Sequence, residues 1–354
     1  MPQTLAPRHA SLFDQWMEER RRDPRAHGRD VGRRLGVAEA ELIASAVGQE
    51  PGGQAVRAQR LRAEFREIIA DLPALGAVKT MTRNEQAVIE KHGAFTDVDT
   101  KSQHGLVLGR DIDLRLFFAP WSSGFAVEDT ISNGIRRSLQ FFDRTGQSIH
   151  KVFVDGANAA YDELLARYRS DDQSTHERVE PATPPAAAKP DADIDVAAFR
   201  AAWDAMTDTH EFFGLLRRFG VTRTQGLRLA GDIRAKRIAP AAAEPVLQRV
   251  AGDSLPVMIF VGNPGVLQVV SGPIQRVARA GGWLNILDPG FNLHLRDEAV
   301  TEAWVVRKPT SDGMVTSLEL FDAAGETVTL FFAYRKEGQA AAVAWEQLLH
   351  EVQG

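Results

Sequence analysis

The spacing of hydrophobic and polar residues along this chain changes from helical to strand-like, and this order occurs twice. Leu12, Phe13, Trp16 and Met17 recur at helical spacing, which predicts an amphipathic helix over 12–22. Further helical patterns cover 55–71, 161–169, 197–219, 240–250 and 340–352. Apolar and polar residues alternate, or form short apolar runs, in the segments between them, which predicts strands over 105–108, 112–118, 138–142, 150–154, 256–261, 266–270, 284–287 and 291–295.

Three pairs of segments recur at one constant distance of 179 residues. SLQFFDRTG (138–146) matches SLELFDAAG (317–325), and DIDLRL (111–116) matches GFNLHL (290–295). Asn84 and Asn263 make the third pair. A shared offset at three separate anchors indicates that one domain has been duplicated in tandem.

The duplication divides the chain into two copies joined by a linker. Residues 170–195 are rich in Pro, Ala and charge, a composition that buries little apolar surface. We therefore predict an N-terminal repeat over 1–169, a linker over 170–195 and a C-terminal repeat over 196–354. Because each copy has helices, then a run of antiparallel strands, then a helix, the predicted class is α+β, twice.

Composition excludes several classes of function. The 354 residues include 42 Lys and Arg against 47 Asp and Glu, a net charge of −5, which disfavours a sequence-independent nucleic-acid binder. The chain has no cysteine, so disulfides, thiolate metal sites, iron–sulfur clusters and cysteine nucleophiles are excluded. No apolar run approaches the ~20 residues of a membrane span and the first residues are charged, so we expect a cytoplasmic protein without a membrane span.

His210 is the first candidate for chemistry, because common enzyme motifs such as a phosphate loop or a nucleophile elbow do not occur. Aromatic residues at helical spacing surround it, so it is either a core histidine or a ligand. Asp208 and Glu211 resemble a capping box, which would place His210 in the first turn of a new helix. The positive helix end disfavours imidazolium there, which leaves a neutral ring free to bind a metal.

Arg115 and His294 occupy matching positions in the two copies. Strand alternation places Arg115 on one face with Asp113, which is explained most simply by a local ion pair on a solvated face. The second copy nevertheless keeps polar side chains on the equivalent face, which indicates a site facing a cleft. By this symmetry His294 is a second candidate ligand.

Basic residues near element ends form a third group. On their own these are surface charges, whereas together they would hold an anionic ligand, because guanidinium groups bind carboxylates in two places. They are Arg223, Arg307 with Lys308, and Arg335.

Seven segments spread over nearly the whole chain closely resemble the cytoplasmic haemin-degrading factors, also called haemin transport proteins, of bacterial haem-uptake systems. They are TRNEQAV (82–88), DLRLFF (113–118), SLQFFD (138–143), WDAMTDTHEFF (203–213), GWLNILDPGFNLHL (282–295), AWVVRKPTSDG (303–313) and VTSLELF (315–321).

This resemblance implies a fold and a site. The fold is a tandem pair of α+β halves, each with a large antiparallel sheet packed by helices, and one haem (iron protoporphyrin IX) in the cleft between the halves. His210 is then the proximal iron ligand, and Arg115 the distal, catalytic residue. The resemblance places Arg223, Lys308 and Arg335 at the haem propionates.

Two departures from the family narrow the expected chemistry. Some relatives have a histidine where this chain has Ile89, so we do not expect that additional haem contact here. Others have histidines directly after the proximal one, where this chain has Glu211, Phe212 and Phe213. We therefore expect no ligand switching at that point.

The resemblance leaves two functions open. The first is haem binding followed by opening of the porphyrin ring, with oxygen activation under Arg115 or a reductive variant; electrons come from a reductase or small reductant, because the chain has no nucleotide or flavin motif. The second is a carrier that takes haem from an import transporter and delivers it to a separate haem oxygenase. A scaffold without a small ligand is a third interpretation.

Overall fold

The computed structural model describes residues 10–49, 56–132, 134–184, 188–334 and 339–352. It contains two compact units, and each takes in a short segment from the other half of the sequence. The first consists of Met1–Met81, His92–Thr183 and Pro264–Val266, and the second of Thr82–Lys91, Pro184–Asn263 and Leu267–Gly354.

Helices precede and follow the strands in each half, as predicted. The first half contains α1 (Leu12–Arg22), α2 (Gly28–Leu35), α3 (Glu39–Ser45), β1 (Val56–Arg60), α4 (Phe65–Asp71), β2 (Ala77–Arg83), β3 (Ala87–Ala94), β4 (Val98–Asp99), β5 (Gly105–Leu108), β6 (Asp113–Leu116), β7 (Trp121–Ile131), β8 (Gly134–Asp143), β9 (Ser148–Val154) and α5 (Ala159–Tyr168).

The second half repeats this order. It contains α6 (Val196–Asp204), α7 (Glu211–Phe219), α8 (Arg223–Ala230), β10 (Ala235–Ile238), α9 (Ala243–Gly252), β11 (Val257–Asn263), β12 (Val266–Gly272), β13 (Val277–Ala280), β14 (Trp283–Asp288), β15 (Phe291–Leu295), β16 (Val300–Thr310), β17 (Gly313–Asp322), β18 (Thr327–Ala333) and α10 (Gln339–Val352). The predicted class, α+β with a duplicated domain, is confirmed.

Antiparallel sheets form the centre of both units. In the first unit one run of strands has the order β1-β7-β8-β9-β2, and β4, β5 and β6 form an antiparallel meander. In the second unit the order is β10-β16-β17-β18-β11-β12. The second unit also pairs β3 with β15, followed by β14 and β13.

Two helical predictions need correction. Residues Val56–Arg60 form a strand rather than the start of a helix: Val56 and Ala58 are buried, and Arg57 between them is exposed. The pattern predicted as one helix over 197–219 is two helices, since α6 ends at Asp204 and α7 begins at Glu211. Tertiary contacts override helical spacing at both places: Val56–Arg60 pairs with β7, and Met206 between the two helices is buried.

Both faces of the β16–β17 hairpin are covered. One face carries Trp304, Val306 and Phe321 into a cluster with the aromatic residues of α6 and α7. The opposite face carries Leu318 and Leu320 into a core that includes Trp345 of α10. The hairpin therefore gives the α6–α8 layer a rigid support.

The asparagines that mark the repeat bind hairpin turns. The Asn84 side chain donates to the carbonyl of Val328 at 2.8 Å and accepts the backbone N–H of Ala87 at 2.8 Å. The Asn263 side chain donates to the carbonyl of Arg83 at 2.9 Å. Each amide thus satisfies backbone groups at the end of a strand.

We expect Asn84→Ala to destabilise the protein by about 1–3 kcal/mol, because buried backbone groups lose their partners. The thermal unfolding midpoint measures this loss. Asn84→Asp keeps the acceptor oxygen but places a carboxylate oxygen against the carbonyls that the amide nitrogen binds, so it should not recover the lost stability. Equal midpoints for wild type and Asn84→Ala would contradict the role of this side chain.

Candidate functional site

His210 lies at the break between α6 and α7, as the N-cap residue of α7. Its side chain is 90% exposed, so the interpretation as a core histidine is wrong. The helix begins again at this point, as the sequence indicated. The imidazole is therefore presented to solvent at the start of a helix.

Two carboxylates hold the turn before α7. Asp208 Oδ1 accepts the backbone N–H of His210 at 2.8 Å and lies 2.6 Å from His210 Nδ1. Glu211 Oε1 accepts from the backbone N–H of Thr207 at 3.2 Å and from its hydroxyl at 2.8 Å. The predicted capping box, with Asp208 as its first residue, is thus replaced by two separate interactions, because the helix begins later.

Aromatic rings flank the imidazole at different depths. Phe212 is buried and packs edge-on against Trp203, with ring centroids 5.0 Å apart. Phe213 is 63% exposed, unusually high for so large an apolar side chain. His210 and Phe213 are three positions apart, so they lie on neighbouring positions of one helix face.

Beneath these rings lies a buried cluster of three charges, with Glu319 at its centre. Lys308 Nζ donates to Glu319 Oε1 at 2.7 Å, and Arg223 Nε donates to Glu319 Oε2 at 2.9 Å. The Ser317 hydroxyl donates to Oε1 at 2.9 Å. Two cations and one carboxylate leave this cluster with one net positive charge.

Both cations also lie over aromatic rings. The Lys308 ammonium is 4.4 Å from the centre of the Phe212 ring. The Arg223 guanidinium is 5.0 Å from the same ring and 5.5 Å from that of Phe213. The positive charge is therefore held directly below the exposed ring of Phe213.

Burial and mutual attraction shift both ends of the buried pair. Burial lowers the pKa of Lys308 to about 8, although Glu319 opposes that shift. Burial alone would raise the pKa of Glu319, but the charges of Arg223 and Lys308 outweigh it and lower the pKa to about 2. At neutral pH the cluster is therefore ionised.

We expect this carboxylate to make the protein sensitive to acid. The unfolded chain binds the Glu319 proton near pH 4.5, whereas the folded protein binds it near pH 2. The stabilisation, about 3 kcal/mol, is therefore present above pH 4.5 and is lost as the pH falls towards 2. Denaturant titrations between pH 5 and 2 measure this slope; if Glu319→Gln shows the same slope, another group is responsible.

Arg115 lies in β6 of the first unit and forms the local ion pair with Asp113 that the sequence indicated. Its cross-strand partner is Leu106, and Asp113 faces Leu108. Leu108 is 51% exposed, so the face that carries Arg115 combines a partly exposed cation with exposed apolar surface. Arg115, Asp113 and Leu108 thus share one face of the β5–β6 pair.

His294 lies in β15 of the second unit and is half-buried. Its Nδ1 lies 2.6 Å from Oδ1 of Asn285, a buried side chain on the neighbouring strand. The His294 ring is therefore partly covered and bound to a neighbouring strand, whereas the His210 ring is exposed to solvent. Its role as a second ligand stays a prediction.

The remaining predicted cations are less informative. Arg307 lies on the opposite face of the hairpin from Lys308, with its Nε 3.9 Å from Glu346. Arg335 lies outside the described residues. The structure thus brings His210, Arg223 and Lys308 together in one unit, and describes Arg115 in the other.

Glu319 is the member of the charged cluster that sequence reasoning missed. Its counterpart in the first copy is Gln140, and the counterpart of Lys308 is Asp129. Gln140 donates to Ser138 at 3.0 Å, in the position where Ser317 donates to Glu319. The change from SLQFF in the first copy to SLELF in the second was the signal in the sequence that could have identified Glu319. Because the first copy has Gln140 and Asp129 at these positions, it lacks the charges of this cluster.

The chemistry of this surface fits haem. Within the part of the chain that the structure describes, no three His, Asp or Glu side chains gather as a metal site would require. A single exposed imidazole, such as that of His210, suits a metal that brings its own ring of ligands. The exposed Phe213 suits the apolar face of that ring, and the cluster below it suits carboxylates.

Comparisons with known proteins identify the family of this chain. The sequence profile of one family, described as the haemin-degrading HemS/ChuX domain, matches twice, over residues 36–168 and 220–352. The hemin transport protein HmuS of Yersinia pestis is 37% identical over 342 residues, covering 96% of each chain. Among the described helices, none has the length and hydropathy that crossing a bilayer requires.

Two solved structures extend the likeness to the fold. Holo-PhuS, a heme-binding protein from Pseudomonas aeruginosa, matches with a TM-score of 0.91 at 39% identity, over 97% of this chain and 98% of PhuS. ChuS, an E. coli heme oxygenase, matches with a TM-score of 0.84 at 36% identity, over 97% of this chain and 99% of ChuS.

Proposed function

Because this chain belongs to the haemin-degrading HemS/ChuX family, we propose that it binds haem through His210 and opens the porphyrin ring to release iron. Haem is here the ligand and substrate. The observation that carries the proposal is the exposed imidazole beside the exposed Phe213, above a buried cationic cluster.

Each part of this surface has a role in the proposed binding. His210 binds the iron through Nε2, since Nδ1 lies against Asp208. Phe213 packs against the macrocycle. Arg223 and Lys308 attract the propionates; Lys308 is buried, so its charge acts through the potential that it creates at the surface. We assign Arg335 to the same group on the family resemblance.

For Arg115 the proposal rests on the family resemblance, which assigns it to the distal side of the haem. A guanidinium donates hydrogen bonds and is not deprotonated in proteins. Arg115 therefore stabilises negative charge and does not act as a base. Bound haem would supply the redox chemistry, with O₂ as the oxidant and electrons from an external donor.

A carrier function is the second candidate. The name of HmuS, a hemin transport protein, favours it. Such a protein would receive haem from an import transporter in the cytoplasm and pass it to a separate haem oxygenase. The same imidazole and cations serve both functions, so the two differ in turnover and not in binding.

Haemin titration followed by a turnover assay tests the proposal. We expect a Soret shift on binding, and then loss of the haem spectrum with a reductant, with a linear tetrapyrrole identified by chromatography. Catalase must be present, because free peroxide destroys haem without an enzyme. Binding without turnover under catalase would assign the carrier function, and no Soret shift would overturn both functions.

We expect Phe213→Ala to weaken haemin binding about tenfold, because covering an exposed Phe side chain contributes about 1.5 kcal/mol or more. Stability should change by no more than about 0.5 kcal/mol, since the ring is exposed. Ile233→Ala is the matched control, because Ile233 is 84% exposed in the same unit and has no proposed contact. Equal haemin affinities for the two variants would contradict the role of Phe213.

A further inference from the structure

The hydrogen bonds of the turn before α7 distinguish the two nitrogens of His210. Asp208 Oδ1 is 2.6 Å from Nδ1 and also accepts the backbone N–H of the same residue at 2.8 Å. One carboxylate oxygen thus holds both the backbone and the ring. Nε2 lies on the far side of a ring that is 90% exposed.

A carboxylate only accepts hydrogen bonds, so the atom opposite Oδ1 must carry a hydrogen. Nδ1 is therefore the N–H of the neutral ring, and Nε2 keeps its lone pair. Free histidine has no such constraint and exchanges between both forms. Asp208 thus selects the one tautomer in which Nε2 is able to bind a metal.

We propose that Asp208 is a positioning residue for the iron ligand: it fixes the tautomer and orientation of the His210 ring and makes Nε2 a stronger donor. This inference rests on the proposed haem binding. A carboxylate behind a metal-bound imidazole raises the basicity of that ligand, and loss of such a partner commonly costs about 10–100-fold in metal affinity.

Glu211 provides a control within the same turn. Its side chain binds the backbone and hydroxyl of Thr207, whereas the His210 ring is bound by Asp208. Glu211→Gln therefore perturbs the turn without removing the ring's partner. Asp208→Asn keeps an oxygen acceptor without its charge, and Asp208→Ala removes both.

The first measurement uses the haem-free protein. Nitrogen-15 NMR of His210 distinguishes a protonated Nδ1 from a protonated Nε2. In wild type, Asp208→Asn and Glu211→Gln we expect the Nδ1–H form to dominate, whereas Asp208→Ala should shift towards Nε2–H. An unchanged tautomer in Asp208→Ala overturns the inference.

The second measurement uses the haem-loaded protein. We expect the iron–histidine stretching frequency of the ferrous form to fall in Asp208→Ala, to fall less in Asp208→Asn, and to stay at its wild-type value in Glu211→Gln. The haemin Kd of Asp208→Ala should rise about 10–100-fold. A frequency that moves equally in Glu211→Gln would assign Asp208 a merely structural role and overturn the inference. If wild type fails to bind haemin, the proposed function fails instead, and the haem-free tautomer result still stands.

Discussion

We expect His210→Ala to lower the haemin affinity by more than the roughly 10–100-fold that removal of an outer partner costs, because this variant removes the proposed iron ligand itself. The Soret band of added haemin should stay close to that of the free pigment. Stability should be nearly unchanged, since the side chain is exposed. Absorbance titration and a thermal unfolding midpoint measure the two quantities.

Two other histidines make this experiment discriminating. His176 is exposed in the first unit and has no proposed role, so His176→Ala should bind haemin as wild type does. His294 is the second candidate ligand. If His294→Ala loses the Soret shift while His210→Ala keeps it, the iron ligand has been assigned to the wrong histidine.

We expect Glu319→Gln to be the most destabilising of the substitutions considered, at about 3 kcal/mol, or roughly 10 °C in the unfolding midpoint. The amide leaves the buried Lys308 and the partly buried Arg223 without a counter-charge. Removing one partner of a buried ion pair costs more than the pair itself contributes, because the remaining charge stays desolvated. Chemical denaturation at neutral pH measures the loss.

Paired variants separate charge from shape in that cluster. Lys308→Met combined with Glu319→Gln should cost less than the sum of the two single changes, because the double variant leaves one buried cation rather than two. Glu244→Gln is the matched control, since Glu244 pairs with Arg279 at the surface, where loss costs about 0–1 kcal/mol. Two results would contradict energetic coupling in this buried cluster. One is a double variant whose loss of stability equals the sum of the two single losses, and the other is an equal loss of stability in Glu319→Gln and Glu244→Gln.

Much of the fold was predictable because the apolar spacing of a solvent-facing helix is a local property. α1 has the predicted limits, and the repeat offset identified the duplication. The prediction failed at Val56–Arg60, whose hydrophobic spacing fits both a helix and a strand. Pairing with β7 determines that this segment is a strand. A partner that is distant in sequence leaves no local signal.

The candidate site was predictable for residues of distinctive type and less so for their environment. His210 was found by its aromatic neighbours, yet helical spacing alone also predicted it to be buried. Its exposure follows from the break after α6, which depends on the packing of Met206. In the sequence, Glu319 is one polar position in an alternating strand pattern. Only the pairing register of β16 and β17 shows that it lies on the same face as Lys308.

The exchange of short segments between the halves limits how the molecule can be taken apart. Ala87 and Ile89 come from the first copy, yet they are fully buried with Leu293 in the interior of the second unit. A fragment that ends at residue 183 therefore includes two residues that belong to the hydrophobic core of the second unit. Cutting the chain at its midpoint would therefore give two incomplete units, so the half that carries His210 has to be studied by substitution within the intact polypeptide.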